Sequence, residues 1–117
     1  MGDRMKGGVL PGTADLVILK AVSEGPMHGF AISRLLRERS SGAVELQDAA
    51  LYQGLHRLAR KGWVEAEWGI SETNRRARFY SLTPQGRKEL SREEALFRRY
   101  VDGVLRILSP GEALAEG

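Results

Sequence analysis

The chain has no cysteine and only two histidines among its 117 residues. The missing thiols exclude disulfides, thiolate zinc sites and cysteine nucleophiles. His28 and His56 lie 28 positions apart, and neither has a carboxylate at the spacing that metal ligands adopt. The sequence therefore predicts no metal site.

Long apolar runs are also missing. The longest, Leu16–Leu19, has four residues, far short of the roughly 18 that a membrane-spanning helix needs. Residues 1–8 contain no apolar stretch typical of a signal peptide. We therefore expect a cytoplasmic location.

The sequence lacks the motifs of common enzyme classes. It has no GxGxxG, no P-loop and no GxSxG. Glu93 and Glu94 are adjacent on a predicted helix, where neighbouring side chains point in different directions, and such a pair is typical of a solvated surface. We predict neither an enzyme nor a cofactor.

Charge is distributed unevenly beneath the net value of +3. Residues 52–88 contain eight Lys/Arg and three Asp/Glu, whereas residues 1–51 are balanced and residues 89–117 carry a net charge of −2. A basic middle segment favours a polyanion-binding surface in one region of the fold. An ordinary solvated surface is the alternative.

Apolar periodicity and capping signals predict seven elements. In chain order they are a helix at 14–23 capped by Thr13, a helix at 30–39, a short strand at 43–46, a helix at 49–61 capped by Asp48, strands at 63–68 and 77–82, and a helix at 84–108 capped by Thr83. Two helices joined by a turn and followed by a β-hairpin form a winged helix-turn-helix, in which the hairpin is the wing. The predicted fold class is therefore mainly α with a small β-hairpin (α+β), extended by a long C-terminal helix.

The third predicted helix has two distinct faces. Leu51, Leu55 and Leu58 recur at helical spacing and point to the core. The outer face carries the candidate DNA-binding residues Ala49, Tyr52, Gln53, His56, Arg57 and Arg60. Gln and Arg pair with purine edges in the major groove, while Tyr and Arg reach phosphates. This pattern indicates a recognition helix, and a merely solvated amphipathic helix is the alternative.

Three arginines cluster on the predicted wing. Arg75, Arg76 and Arg78 lie at the hairpin tip and on the returning strand, against the single acid Glu72. Arginines on a protruding β-loop suit a narrow minor groove or the adjacent phosphates. Strand-edge charges that oppose aggregation are the alternative. The succession of recognition helix and basic wing favours double-stranded DNA as the partner.

Apolar seams on the first and last helices predict a homodimer. The last helix has a heptad-like seam, and the first helix is apolar over most of its girth. The candidate interface residues are Leu16, Leu19, Leu90, Phe97, Val101, Val104 and Leu108. We accordingly divide the chain into a flexible arm (1–10), a DNA-binding winged helix (11–82), a dimerisation helix (83–109) and a flexible tail (110–117).

The sequence resembles the PadR-like transcriptional regulators from residue 11 to about residue 108. The resemblance rests on an ordered set of segments: PGT at 11–13, GPMHGF at 25–30, LYQGLHRL at 51–58, KGWV at 61–64 and RFYSLTPQG at 78–86. In having a single C-terminal helix, the chain is similar to the short subfamily of these regulators. The resemblance implies a homodimeric, usually repressing regulator of inverted repeats, in which the last helix dimerises and often packs on the first helix.

The resemblance also assigns roles to individual residues. It implies a phosphate contact for Tyr52 and DNA contacts for the basic wing. The chain departs from the family pattern at Ala50, where Gly or Thr is frequent, and at Gln53, where Pro is frequent. Both departures lie at the start of the recognition helix, so the operator sequence does not transfer from the family.

Two further possibilities stay open. Some short family members bind planar drugs between tryptophans of the dimerising helix, but the aromatic residues of that helix here are Phe97 and Tyr100. We expect Trp63 to pack the wing strand onto the third helix and Trp68, nearer the hairpin, to be partly exposed. Any small-molecule effector stays unidentified. A winged helix that binds proteins in place of DNA is the alternative function.

Overall fold

The computed structural model describes residues 7–10 and 12–110. In chain order its elements are α1 (Ala14–Val22), β1 (Met27–His28), α2 (Gly29–Arg39), α3 (Asp48–Arg60), β2 (Val64–Ile70), β3 (Arg76–Leu82) and α4 (Pro84–Leu108). The α2–α3 pair forms a helix-turn-helix and the β2–β3 hairpin forms the wing. The predicted α+β winged helix-turn-helix with a long last helix is therefore confirmed.

The core lies where α1, α2 and α3 meet. Its fully buried large side chains are Ile18, Leu19, Val22, Ile32, Leu51, Leu55 and Leu58. Their spacing places one apolar stripe of each helix inward. Val64 and Leu90 extend the same core to the base of the wing and to α4. One face of α3 is thus held by the core, and its opposite face remains in solvent.

The wing is an antiparallel hairpin that is joined to the helical part by β1. The β2–β3 register runs from Val64↔Leu82 to Ile70↔Arg76. The other edge of β3 pairs with β1, so the sheet order is β1-β3-β2 and His28 stands opposite Phe79. Because β1 leads directly into α2, this pairing connects the wing to the first turn of that helix.

The prediction of a short strand at 43–46 is wrong. This segment contains only an isolated parallel bridge between Val44 and Gly8. Ser41 and Gly42 leave α2 with φ values of 55° and 84°, and both sides of β3 are already taken by β1 and β2. The third strand is Met27–His28. Two residues are too few to show the alternation by which a strand is recognised in a sequence.

Of the three predicted N-caps, only Thr83 makes a side-chain capping bond. Thr83 accepts a hydrogen bond from the backbone N–H of Gly86 at 2.9 Å and so caps α4, as predicted. Thr13 occupies the N-cap position of α1, but its hydroxyl donates to the carbonyl of Leu10 at 2.7 Å and makes no cap bond. Asp48 is not a cap, because α3 begins at this residue. At this position its carboxylate interacts favourably with the positive, N-terminal end of the helix dipole.

The expected arm and tail lie largely outside the described residues, which leave out 1–6, 11 and 111–117. Within 7–10, the carbonyl of Gly8 accepts from the backbone N–H of Glu45 at 2.9 Å, and Val9 packs against the core. No helix in the described part of the chain has the length and mean hydropathy needed to cross a bilayer.

Candidate nucleic-acid interface

The outer face of α3 is accessible along its length. Five of the predicted DNA-binding residues are exposed there: Ala49, Tyr52, Gln53, His56 and Arg60. The only acidic residue of this helix, Asp48, stands at its first position. The face therefore offers amide, imidazole, phenol and guanidinium groups with no carboxylate among them.

Arg57, the sixth predicted contact on α3, is engaged within the chain. Its Nη2 donates to Oδ1 of Asp15 on α1 at 2.6 Å, and the side chain is half-buried. This hydrogen bond and the charge of Asp15 raise the pKa of the Arg57 guanidinium. Nearby, a Cβ added at Gly54 would lie 2.7 Å from Cδ1 of Ile18, so the two helices are in close contact. Arg57 thus ties α3 to α1, and its contact with DNA stays a prediction.

Tyr52 packs against the start of α2 and is also exposed to solvent. Its hydroxyl approaches Gly29 so closely that any Cβ at this position would overlap the phenol. Burial against its neighbours, together with Tyr80 and Asp48, raises the pKa of Tyr52. A tyrosine hydroxyl is protonated at neutral pH and can donate a hydrogen bond, and 49% of the residue surface is exposed here.

The wing carries two arginines stacked on a tryptophan. Trp68 stands opposite Arg78 in the β2–β3 register. The guanidinium carbons of Arg76 and Arg78 lie 4.4 and 5.5 Å from the centroid of the Trp68 ring. Such cation–π contacts restrict the arginine side chains. Arg75 is exposed beside them at the tip, so all three predicted arginines project from one hairpin.

Sequence reasoning missed the part that Trp68 plays in this stack. The expectation that Trp68 is partly exposed is confirmed. The available signal was the strand register: once the hairpin closes between residues 70 and 76, position 68 faces position 78. Aromatic and basic side chains at opposed positions interact across a sheet.

A cleft of about 680 Å³ separates the wing from α2 and α3. Aromatic and guanidinium side chains line both walls, among them Phe30, Arg34, Tyr52, Trp68, Arg76 and Arg78. Glu72 is the one acid in the lining, and its Oε1 lies 3.1 Å from Nε2 of His28. This hydrogen bond lowers the pKa of the Glu72 carboxyl. Residues 7–10 and 12–110 hold no group of three His, Asp or Glu that could bind a metal ion.

The predicted dimer residues fall into two groups. Leu19 and Leu90 lie in the chain's own core and leave no surface for a partner, so the prediction is wrong at these two positions. Leu16, Phe97 and Val101 line a groove of about 350 Å³ between α1 and α4. Val104 and the exposed Leu108 continue along α4 beyond this groove.

A second apolar stripe on α4 was not predicted. Leu96, Tyr100 and Ile107 are 53%, 70% and 82% exposed. They line a shallow depression together with Gly103 and Val104. Their spacing of four and seven residues was the signal in the sequence. The helix therefore presents apolar side chains beyond the groove that it forms with α1.

Both the sequence and the fold are similar to those of known proteins. The chain is similar to the uncharacterized protein X of Lysinibacillus sphaericus, with 26% identity over 101 residues that cover 84% of this chain and 93% of that protein. Its fold is similar to that of a transcriptional regulator from Clostridium thermocellum, with a TM-score of 0.75, 24% identity and coverage of 84% and 92% of the two chains. A PadR family transcription regulator from Clostridium difficile gives a TM-score of 0.73, 22% identity and coverage of 84% and 100%.

The sequence model of the Transcriptional regulator PadR-like family matches this chain over residues 18–92. This match runs from α1 through the wing and into α4. Since it covers more than half of the chain, the protein belongs to the PadR-like family of transcriptional regulators.

Proposed function

We propose that this DNA-binding regulator is a homodimeric repressor of an inverted-repeat operator, with α3 in the major groove and the wing on the minor groove or its phosphates. The observation that carries the proposal is the shared cleft. Tyr52 of α3 lines one side of this opening, and the arginines stacked on Trp68 line the other. A duplex that lies across the opening meets hydrogen-bond donors from both elements.

The recognition helix supplies the sequence-reading groups. The amide of Gln53 can form a paired hydrogen bond to adenine, and the guanidinium of Arg60 can do so to guanine. Tyr52 keeps its proton and donates to a backbone phosphate, which fixes the register of the helix without reading sequence. Arg57 acts indirectly, because its ion pair with Asp15 holds α3 against α1.

The wing supplies sequence-independent affinity. Arg76 and Arg78 are ordered on the Trp68 ring before DNA arrives, so less side-chain entropy is lost on binding than for free arginines. Arg75 adds a third charge at the tip. Each phosphate that such a group neutralises releases a counterion and steepens the salt dependence of binding.

The second copy covers the apolar surface of α4. This helix has 25 residues, and its last turns expose Leu105, Ile107 and Leu108 to solvent. An exposed apolar surface rimmed by charge is typical of an interface. A two-fold axis through α4 places two recognition helices in opposite orientations, and such an arrangement requires an inverted repeat.

The test is fluorescence anisotropy with labelled duplex from the region upstream of the protein's own gene, against a scrambled duplex, over a salt series. We expect specific binding whose logarithmic salt slope corresponds to several phosphates at roughly −0.9 per contact. Gln53→Ala should reduce the preference for the specific duplex. Arg76→Ala should weaken binding to both duplexes.

Arg92→Ala is the matched control, because it removes the same charge from α4, where Arg92 pairs with Glu89 and Glu93. Equal losses in Arg76→Ala and Arg92→Ala would overturn the assigned surface. A lack of binding to every duplex tested at low salt would favour the protein-interaction module. Repression is tested by a reporter fused to the bound duplex, whose expression should rise when the regulator is deleted.

A further inference from the structure

We propose that His28 is a positioning residue that sets the wing relative to the recognition helix, an inference that rests on the proposed DNA contacts of these two elements. His28 lies outside both of them, at the end of β1 and directly before α2. Its side chain nevertheless touches the wing tip, the wing strand and the first turn of α2. We assign it no contact with DNA.

Both ring nitrogens of His28 have partners in different parts of the fold. Nδ1 accepts from the backbone N–H of Ala31 at 3.3 Å and caps α2. Because Nδ1 is an acceptor, the proton of the neutral ring resides on Nε2. This N–H donates to Oε1 of Glu72 at 3.1 Å, 44 residues further along the chain. One imidazole therefore links a helix N-terminus to the turn that closes the wing.

The ring is held in place by its packing. Only 12% of the His28 side chain is exposed. The edge of the ring meets Phe79 of β3 at a centroid distance of 5.3 Å, and Phe30 of α2 stacks at 6.5 Å. Backbone pairing of His28 with Phe79 adds a second tie to the wing. A side chain with so little freedom transmits the position of α2 to the wing tip.

The neighbouring residue supports the recognition helix. Gly29 leaves the space that the Tyr52 hydroxyl fills, and no other residue type fits there without displacing the phenol. The dipeptide His28–Gly29 thus bears on the wing through Glu72 and on α3 through Tyr52. The distance between the two DNA-contacting elements is fixed at this point.

Two substitutions separate this role from simple folding. His28→Asn keeps a side-chain oxygen that can cap α2, since Asn is a favoured N-cap residue, but it is too short to reach Glu72. Glu72→Ala removes the partner at a site where the side chain is 72% exposed, so we expect only a small effect on folding. Glu72→Gln retains an acceptor and should recover part of the effect. Glu67→Gln, at an exposed carboxylate on β2 of the same wing, is the matched control.

The first readout requires no DNA. In a Trp63→Phe background, the fluorescence anisotropy decay of Trp68 reports the motion of the wing alone. We expect faster and wider motion in His28→Asn and Glu72→Ala, intermediate motion in Glu72→Gln, and no change in Glu67→Gln. The double variant should move no more than His28→Asn alone, because that single variant has already lost the hydrogen bond between positions 28 and 72.

The second readout is the salt dependence of DNA binding. Loss of the link should weaken binding roughly threefold to tenfold, as expected for one hydrogen bond, and should flatten the logarithmic salt slope by about 0.9 for each wing phosphate lost. A merely destabilised protein would lose active molecules without any change in slope. Wild-type Trp68 motion in His28→Asn and Glu72→Ala, or additive effects in the double variant, would overturn the positioning role. If the wild-type protein fails to bind DNA, the proposed function falls, and the Trp68 motion still decides the role of His28.

Discussion

Asp15 and Arg57 form the residue-scale contact that bears most directly on the recognition helix. The pair joins α1 to α3 at 2.6 Å, with side chains 30% and 41% exposed. Water screens an ion pair of this exposure, so its contribution to folding is below about 1 kcal/mol. Its main effect is orientation, because it holds a guanidinium away from the outer face of α3.

Asp15→Ala tests that effect. The variant releases Arg57 and removes one acid, so we expect a loss of less than about 1 kcal/mol in the free energy of unfolding. Affinity for non-specific duplex should rise and its salt slope should steepen, because one more guanidinium can reach a phosphate. Denaturant unfolding and anisotropy measure the two effects. An unchanged salt slope would mean that Arg57 stays turned toward α1 without its partner.

Glu72 gives a residue-scale prediction about pH. The hydrogen bond from His28 is the largest cause of its lowered pKa, followed by its own backbone N–H. A carboxyl whose pKa is lower in the folded state stabilises the fold above its ordinary pKa, and this stabilisation is lost as pH falls through the lowered value. The Glu72 carboxylate is therefore ionised at neutral pH, and its protonation in acid weakens the hydrogen bond from His28.

Carboxyl NMR titration measures this shift. The midpoint for Glu72 should lie at lower pH in the wild type than in His28→Asn, where the main cause is removed. Glu24, whose pKa is lowered chiefly by its hydrogen bond to Arg39, should titrate identically in both proteins and serves as the internal control. Equal midpoints for Glu72 in the two proteins would contradict the hydrogen bond.

At the scale of elements, α4 differs from the other helices because its apolar residues exceed what the core uses. Leu90 completes the core, Val101 faces the groove with α1, and Tyr100 and Ile107 lie exposed elsewhere on the helix. An exposed apolar surface of this kind is unfavourable in water, and it is stabilised when another chain buries it. We therefore propose that the dimer contact lies on α4 rather than on the wing or α2.

Val104→Asp tests that assignment. Burying a carboxylate without a partner costs several kcal/mol, so the dimer dissociation constant should increase at least about a hundredfold. Sedimentation velocity measures it. Gln85→Glu, which adds the same charge at the exposed start of α4, should leave the dimer intact. A dimer of wild-type strength in Val104→Asp would remove the last helix from the interface.

Elements with a long periodic pattern could be predicted from the sequence, and short or long-range features could not. The apolar spacing of α3 and the Thr83–Pro84 start of α4 gave the correct helices. The two-residue β1 has no pattern of its own and exists because β3 offers an edge. The His28–Glu72 and Asp15–Arg57 contacts span 44 and 42 residues, and residue type alone does not specify such pairings.

At the scale of the whole molecule, the chain extends about 60 × 37 × 20 Å. The extended shape is consistent with a 25-residue helix, which is roughly 37 Å long at about 1.5 Å per residue. In a two-fold dimer, the paired recognition helices should lie one DNA turn apart, about 34–36 Å. In the proposed complex, α3 and the wing contact different grooves of one duplex at the same time.

Tethered DNA cleavage shows which groove each of the two elements contacts. Since the chain has no cysteine, Gln53→Cys, Thr73→Cys and Ser91→Cys each create one attachment point for a DNA-cutting iron chelate, on α3, the wing tip and α4 respectively. We predict cuts near the centre of each half-site from position 53 and cuts roughly 5 base pairs further out, in the adjoining groove, from position 73. Position 91 should give none. Cuts of the same pattern from all three positions, or none from positions 53 and 73, would contradict the account.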